Sequence, residues 1–309
     1  MKSPKNVPVS VRQRLLNRAR NEKRPFNELL QYYAMERFLF RLSQSAHVDR
    51  FILKGALMLR VWHSPEFRPS MDIDMLGITS NDEASIVAQI REVMAMDVEF
   101  DGLTFNPDSI QSERITKDAY YEGIRVRFRG MLDSARVSMQ VDIGFDDIIY
   151  PGPEKSDMPT MLDYPVPRLL CYSRESAIAE KFEAMVKLGI LNSRMKDFYD
   201  VWVLSRQFDF DGMKLAKAIH LIFQRRGTSI TQRVEAFEQS FIDDRQIQWS
   251  AFRKRLQQDQ VPESFKDVVS VVAGFLAPLI SLLSQDNPEP LIWPASGPWS
   301  ITSKHCNKT

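Results

Sequence analysis

The chain is poor in cysteine, has no bias of charge, and lacks any stretch that reads as a signal or a membrane span. Each absence narrows what it can be. Only Cys171 and Cys306 occur among 309 residues, which makes neither a metal-ligand pattern nor a disulfide framework. Lysine plus arginine (41) nearly balances aspartate plus glutamate (40), for a formal net charge of +1. Any binding of RNA must therefore come from local patches rather than a global field. The N-terminus has no apolar signal core, and no apolar run looks long enough to cross a bilayer. The expectation is a cytoplasmic protein with no membrane partner. There is no internal repeat and no low-complexity segment. What is present is an ordinary globular composition, 44% hydrophobic, with length for one large domain or two.

The most informative stretch runs from Phe51 to Gly77. An apolar strand enters Lys54-Gly55-Ala56, a helical-looking piece follows from Leu57 to Trp62, and a basic loop leads to Met71-Asp72-Ile73-Asp74-Met75. Strand period two sets Asp72 and Asp74 on one face, with Met71, Ile73 and Met75 packing behind them. Aspartate is a poor strand former, and neighbouring like charges repel. Two such residues inside an apolar run ask for a cation. Oxygen-only ligands suit Mg²⁺, or Mn²⁺, which fills its shell with water and substrate phosphates. Gly55 at a strand-to-helix turn lets phosphate approach backbone N–H groups. Together these features describe a site for a metal nucleotide.

Residues 1–50 read as a helical preface. Ser10 can cap a basic helix from Val11 to Lys23, whose arginines form either a solvated face or an RNA-contacting one. A second helix starts at Asn27-Glu28 and carries a Phe/Leu core stripe. Val48 to Leu53 reads as the first strand. A helix from Asn81-Asp82-Glu83 to about Met96 and a ragged strand at Ile110 to Ile115 follow. Gly123 to Met131 alternates Ile124, Val126 and Phe128 against Arg125, Arg127 and Arg129. After an Asp133-Ser134 turn, Ala135 to Phe145 alternates likewise, and the two pair as a hairpin. Asp142 is the lone acid within that strand. It is either a third site carboxylate or an ordinary exposed residue, and the arginine row is either a phosphate or RNA surface or the strand's solvent side.

Prolines 151, 153, 159, 165 and 167 mark a boundary. Beyond it the periodicity predicts helices: Ser173 to Gly189, Asn192 or Ser193 to Val203, Met213 to Gln224, Ile230 to Phe241, Trp249 to Gln258, and Pro262 to Leu283, which Pro278 should kink or end. The Arg225-Arg226-Gly227 turn could also meet nucleic acid. Trp293 and Trp299 should pack the Pro-rich tail onto the body, with Ser303 to Thr309 fraying. The expected fold is α+β: a mixed sheet with flanking helices, then a mainly helical C-terminal half. The divisions are 1–50 (helices), 51–150 (core), 168–285 (helical domain) and 286–309 (tail).

Several of these residues also carry a resemblance. Lys54-Gly55-Ala56-x-x-Leu59-Arg60, followed by Arg68-x-Ser70-x-Asp72-x-Asp74, resembles the start of the AbiEii/AbiGii-type nucleotidyltransferase toxins of type IV toxin–antitoxin and abortive-infection systems. These lie within the DNA polymerase β-like superfamily. Glu180-Lys181-x-x-Ala184 and Arg194-x-Lys196-Asp197-x-x-Asp200-Val201 are similar to two further motifs of that family, with Val201 in place of Leu. The resemblance implies that Asp72, Asp74 and Asp142 hold Mg²⁺ and that Lys181 holds nucleotide phosphates, with Lys54 or Arg68 in support. Gly55, Ala56 and Ser70 would line the nucleotide, and Asp197 would complete the active site through the helical domain. It implies an NTP substrate, an RNA acceptor such as tRNA, and a cognate antitoxin. Asp200 reads as an ion-pair partner of Arg194 or Lys196. The chain departs from the wider superfamily at Ala56, where serine is usual, and in a longer gap from Gly55 to Asp72. A nucleotide- or RNA-binding regulator without turnover and a metal-dependent nuclease are the competing functions.

Overall fold

The computed structural model describes residues 6–65, 68–117, 121–285 and 289–301. They form two compact units, Met1–Asp147 with Pro153–Tyr172, and Ile148–Gly152 with Ser173–Thr309.

The first unit opens with α1 (Val7–Glu22), which starts earlier than a Ser10 cap would allow. The Asn6 side chain accepts from the Val9 N–H and Pro8 fits the first turn. Among its basic residues, Arg14 pairs with Asp163 and Arg18 with Glu22, which favours the solvated-face reading over the RNA-contacting one. In α2 (Phe26–Gln44) burial extends beyond a stripe to Gln31, Glu36, Arg37 and Arg41. Most of these polar groups are paired in place: Asp101 takes Arg37 and Arg41 at 2.9 and 2.7 Å, while Arg37 Nη2 is buried without a hydrogen-bond partner among the described residues. Glu36 accepts from Arg60 and from the Met161 N–H, and burial pushes its carboxyl up to about 7.

Next come β1 (Phe51–Lys54), a 3₁₀ turn (Gly55–Leu57), α3 (Met58–Val61) and β2 (Ile73–Gly77). They are followed by α4 (Glu83–Met94), β3 (Leu103–Lys117), β4 (Tyr121–Leu132), β5 (Ala135–Phe145), β6 (Glu154–Asp157) and β7 (Arg168–Cys171). The strands make a seven-stranded sheet in the order β3-β4-β5-β2-β1-β7-β6. β1–β7 and β2–β5 are parallel and the other pairs antiparallel, so the sheet is mixed as expected. The hairpin forms as the alternation predicts, with Leu132 opposite Ala135 around the Asp133-Ser134 turn. Ile124, Val126 and Phe128 are buried, and Phe38 of α2 lies 5.2 Å from the Phe128 ring. Two local expectations fail. Val48–Arg50 is a 3₁₀ turn, not strand. Met71 does not pack behind the aspartates: β2 begins only where Ile73 pairs with Val141, and Met71 is 55% exposed. The proline-rich stretch also lies mostly inside this unit, where it carries β6 and feeds β7 into the sheet.

The second unit contains α5 (Arg174–Leu188), capped by Ser173 and ended at Gly189 as predicted, then α6 (Met195–Gln207) and β8 (Phe210–Asp211). It continues with α7 (Gly212–Arg226), α8 (Gln239–Leu256), α9 (Phe265–Leu283), β9 (Leu291–Trp293) and β10 (Ser300–Ile301). The helix expected from Ile230 to Phe241 is absent; a 3₁₀ turn at Glu235–Phe237 stands there and α8 begins at Gln239. Pro278 is accommodated within α9. That helix also corrects the membrane reading, because it is long and apolar enough by length and composition to cross a bilayer. Here its Val272, Phe275 and Leu279 are buried and it packs on α6, α7 and α8. The tail folds back as expected: the Trp293 indole N–H donates to the Ser205 carbonyl at 2.6 Å, and Trp299 stacks on Phe275. Ser303 to Thr309, with Cys306, lie outside the described residues.

Candidate active site

Strand order brings the acidic residues together. β2 lies between β1 and β5, and the register sets Asp74 opposite Lys54 on one side and Asp142 on the other. Asp72 sits just before β2. One carboxylate oxygen from each of Asp72, Asp74 and Asp142 lies within 4.8 Å of the other two. Asp142 is only 3% exposed, so it is no ordinary solvent-facing residue. Such crowding is repulsive unless cations share the site.

The chain supplies one of them. Arg125 stands opposite Asp142 in the hairpin register, and its Nε and Nη2 donate to Asp142 Oδ1 and Oδ2 at 2.8 and 2.7 Å. Its Nη1 lies 3.8 Å from Glu113. The bond to Asp142, with the charges of Asp142, Glu113 and Asp72, raises the guanidinium pKa against its desolvation. Arg125 was visible in the sequence only as one of a row. Counting outward from the Asp133-Ser134 turn would have set it opposite Asp142. Each carboxylate oxygen has two lone pairs, so an Asp142 gripped by Arg125 can still accept a metal ion. Three converging carboxylates with oxygen as the only donor fit Mg²⁺ or Mn²⁺.

Neighbouring groups fix the loop that carries Asp72. The Ser70 hydroxyl donates to Asp72 Oδ1 at 2.7 Å, and the Ser70 N–H donates to the Tyr32 hydroxyl at 2.9 Å. Tyr32 in turn donates to the Arg68 carbonyl at 3.3 Å. Gln31 Nε2 donates to the Met71 and Ser138 carbonyls at 3.1 and 3.0 Å, tying the loop to β5. These α2 contacts are long-range and leave no local sequence signal.

At the other side of β2, Gly55 has φ +74° and any Cβ there would overlap the Asp74 carboxylate. Both facts demand glycine. Ala56 is buried behind the turn. Only a 3₁₀ turn and one turn of α-helix follow, shorter than the expected Leu57–Trp62 helix, so close backbone approach matters more here than a helix dipole. Lys54 does not simply face the cluster: its ammonium donates to Asp147 at 2.7 Å and lies 5.3 Å from the Tyr172 ring centroid.

In the second unit, Lys181 of α5 lies 3.5 Å from Asp200 of α6. This partner for Asp200 was not among those expected. The buried Asp197 lies 2.6 Å from Arg194 Nε. Arg226 pairs with Glu180 and Glu183, giving that basic turn an internal role.

A family model described as nucleotidyl transferase AbiEii toxin, type IV TA system, matches residues 37–271. No curated protein matches the chain. Among solved structures, a candidate nucleotidyltransferase from H. pylori is 13% identical with a TM-score of 0.46, over 83% of this chain and 97% of that one. JHP933 from Helicobacter pylori is 12% identical with a TM-score of 0.48, over 83% and 94%.

Proposed function

The chain belongs to the AbiEii nucleotidyltransferase toxin family of type IV toxin–antitoxin systems, and within it we propose an Mg²⁺-dependent enzyme that transfers NMP from an NTP to the 3′ end of an RNA, with tRNA as the acceptor class. The observation that carries this reading is the meeting of Asp72, Asp74 and Asp142 within 4.8 Å, beside a glycine turn that touches Asp74. Mg²⁺, when bound, supplies the charge that lowers the pKa of the acceptor hydroxyl and stabilises departing pyrophosphate.

The chain's own residues do the rest. Asp72, Asp74 and Asp142 hold the cation, Ser70 keeps Asp72 turned inward, and Arg125 holds Asp142 in one rotamer. Gly55 and Ala56 give phosphate a close backbone approach, and Arg68 adds charge. By the family motifs, Lys181 binds phosphate and Asp197 completes the active site; Asp197 also pairs with Arg194. The acceptor oxygen bonds to the α-phosphorus as the bond to the pyrophosphate oxygen breaks, with the two oxygens in line; the hydroxyl proton passes to water. Growth inhibition follows from blocked RNA ends, and an antitoxin is the partner the family implies.

The test is incubation of the protein with total RNA and each α-labelled NTP, with and without chelator. Labelled, unshortened RNA with stoichiometric pyrophosphate supports the proposal. Shortened RNA without pyrophosphate would mean a nuclease, and binding without turnover a regulator.

A further inference from the structure

Period two sets Ser138, Gln140 and Asp142 on one face of β5, and the register of the three-stranded meander extends each into a row. Arg125 lies opposite Asp142, Arg127 opposite Gln140 and Gln111, and Arg129 opposite Ser138. The other face of β4 and β5 is buried, whereas Arg127, Arg129 and Ser138 on this face are exposed. The Arg127 and Arg129 rows line a cleft of about 520 Å³ that reaches Asp72, a volume within the usual range of about 300–1,000 Å³ for ligand sites. Two guanidinium groups, the amides of Gln31, Gln111 and Gln140 and the hydroxyls of Ser109 and Ser138 face it, and Asp72 is the only acid among the lining residues. Arg127 is held along the sheet, donating from Nε to Gln140 at 3.2 Å and lying 3.0 Å from Glu113. Met71, exposed at the edge of the same cleft, offers an apolar surface. These are the donors and the contact surface that read an unpaired polynucleotide.

We propose that this cleft seats the unpaired 3′-terminal nucleotides of the RNA acceptor, with Arg127 and Arg129 on successive phosphates. The proposal rests on the transferase reading of the aspartate cluster. In-line transfer requires the acceptor and the departing pyrophosphate on opposite sides of the α-phosphorus. In that reading the NTP phosphates lie at Gly55 and Ala56, which follow β1, and β1 and β5 flank β2 on opposite sides. The acceptor must then come over β5, where the cleft begins. Arg127 and Arg129 are two strand residues apart, about 7 Å, a step that suits consecutive phosphates of an extended strand.

The test uses the full chain, a short mixed-sequence single-stranded oligoribonucleotide with a free 3′ hydroxyl, and a fluorescent NTP analogue. The double variant Arg127→Gln/Arg129→Gln should lose about tenfold or more in affinity for the oligoribonucleotide. The salt dependence of binding should flatten by about 0.7 in log–log slope per phosphate contact removed. NTP affinity should stay within about twofold of the parent. Arg129→Glu, a single exposed change, should act in the same direction if the double variant folds poorly. Unchanged RNA affinity in folded variants overturns the proposal, and so does an equal loss of NTP affinity, which would make the cleft the nucleotide's own. Asp74→Asn, measured in parallel, keeps the two readings apart. Full transfer by that variant would refute the assignment of transfer to the aspartate cluster. Arginine-dependent RNA binding by a wild type that transfers nothing would refute the transferase reading, while leaving the RNA-binding role of the cleft intact.

Discussion

Replacing Gly55 with alanine separates backbone strain from damage to the carboxylate cluster. At φ +74° an alanine costs about 1–2 kcal/mol in backbone strain, or a few degrees of melting temperature for a chain of this size. The added methyl also overlaps the Asp74 carboxylate, so either Asp74 rotates away from Asp72 and Asp142 or the turn moves. A displacement of about 1 Å in a reacting group can cost about a hundredfold in rate. Gly227→Ala is the matched control: φ is +62° with nothing within 4 Å of the new Cβ, so it carries similar strain and no overlap. Both variants should melt a few degrees lower, and only Gly55→Ala should lose about a hundredfold in pyrophosphate release. Wild-type turnover by Gly55→Ala, or an equal loss in Gly227→Ala, would refute the reasoning.

Other changes probe single groups. Asp142→Asn should lower transfer at least about a hundredfold and weaken its Mg²⁺ dependence. Asp133→Asn, at a turn position with φ 54° that asparagine tolerates, should leave the rate unchanged; similar rates for the two would remove Asp142 from the site. Lys181→Met weakens the pairing of a nearly buried Asp200, so stability should fall by about 1–3 kcal/mol together with NTP affinity. Adding Asp200→Asn should restore the melting temperature but not the affinity, and recovery of both would make Lys181 structural. Glu36 titrates at about 7 in the folded chain against 4.5 unfolded. Its contribution therefore favours folding below about pH 4.5 and is lost as pH rises through 7, about 3 kcal/mol in all. The difference between wild-type and Glu36→Gln stability curves should show that fall, and parallel curves would contradict it.

Legibility in the sequence followed the strength of each local pattern. β5 emerged with its observed bounds because alternation runs unbroken from Ala135 to Phe145. α5 emerged because Ser173 and Gly189 punctuate it at both ends. α8 was misplaced because its buried residues, Phe241, Ile242, Trp249 and Leu256, are too sparse to set a period. α9 runs unbroken through Pro278, where a kink or an end was expected. At the site, Asp72 and Asp74 were legible from one short segment, whereas Asp142, isolated in an apolar strand, gained a site role only through the family resemblance. The Tyr32 and Gln31 supports were not, because their partners lie 36 to 107 residues away and depend on how α2 packs. The resemblance assigned Lys54 and Lys181 to nucleotide phosphates, and each also faces an aspartate that only the tertiary fold brings near.

The most direct test of the central claim is Mg²⁺-dependent transfer of labelled nucleotide to RNA by wild type and by Asp74→Asn, with circular dichroism melting on the same preparations. The account predicts one pyrophosphate released per nucleotide added by the wild type, and at least about a hundredfold less from an equally folded Asp74→Asn, since asparagine keeps the shape of the side chain and removes the charge the cation needs. Equal transfer by the two proteins would contradict it.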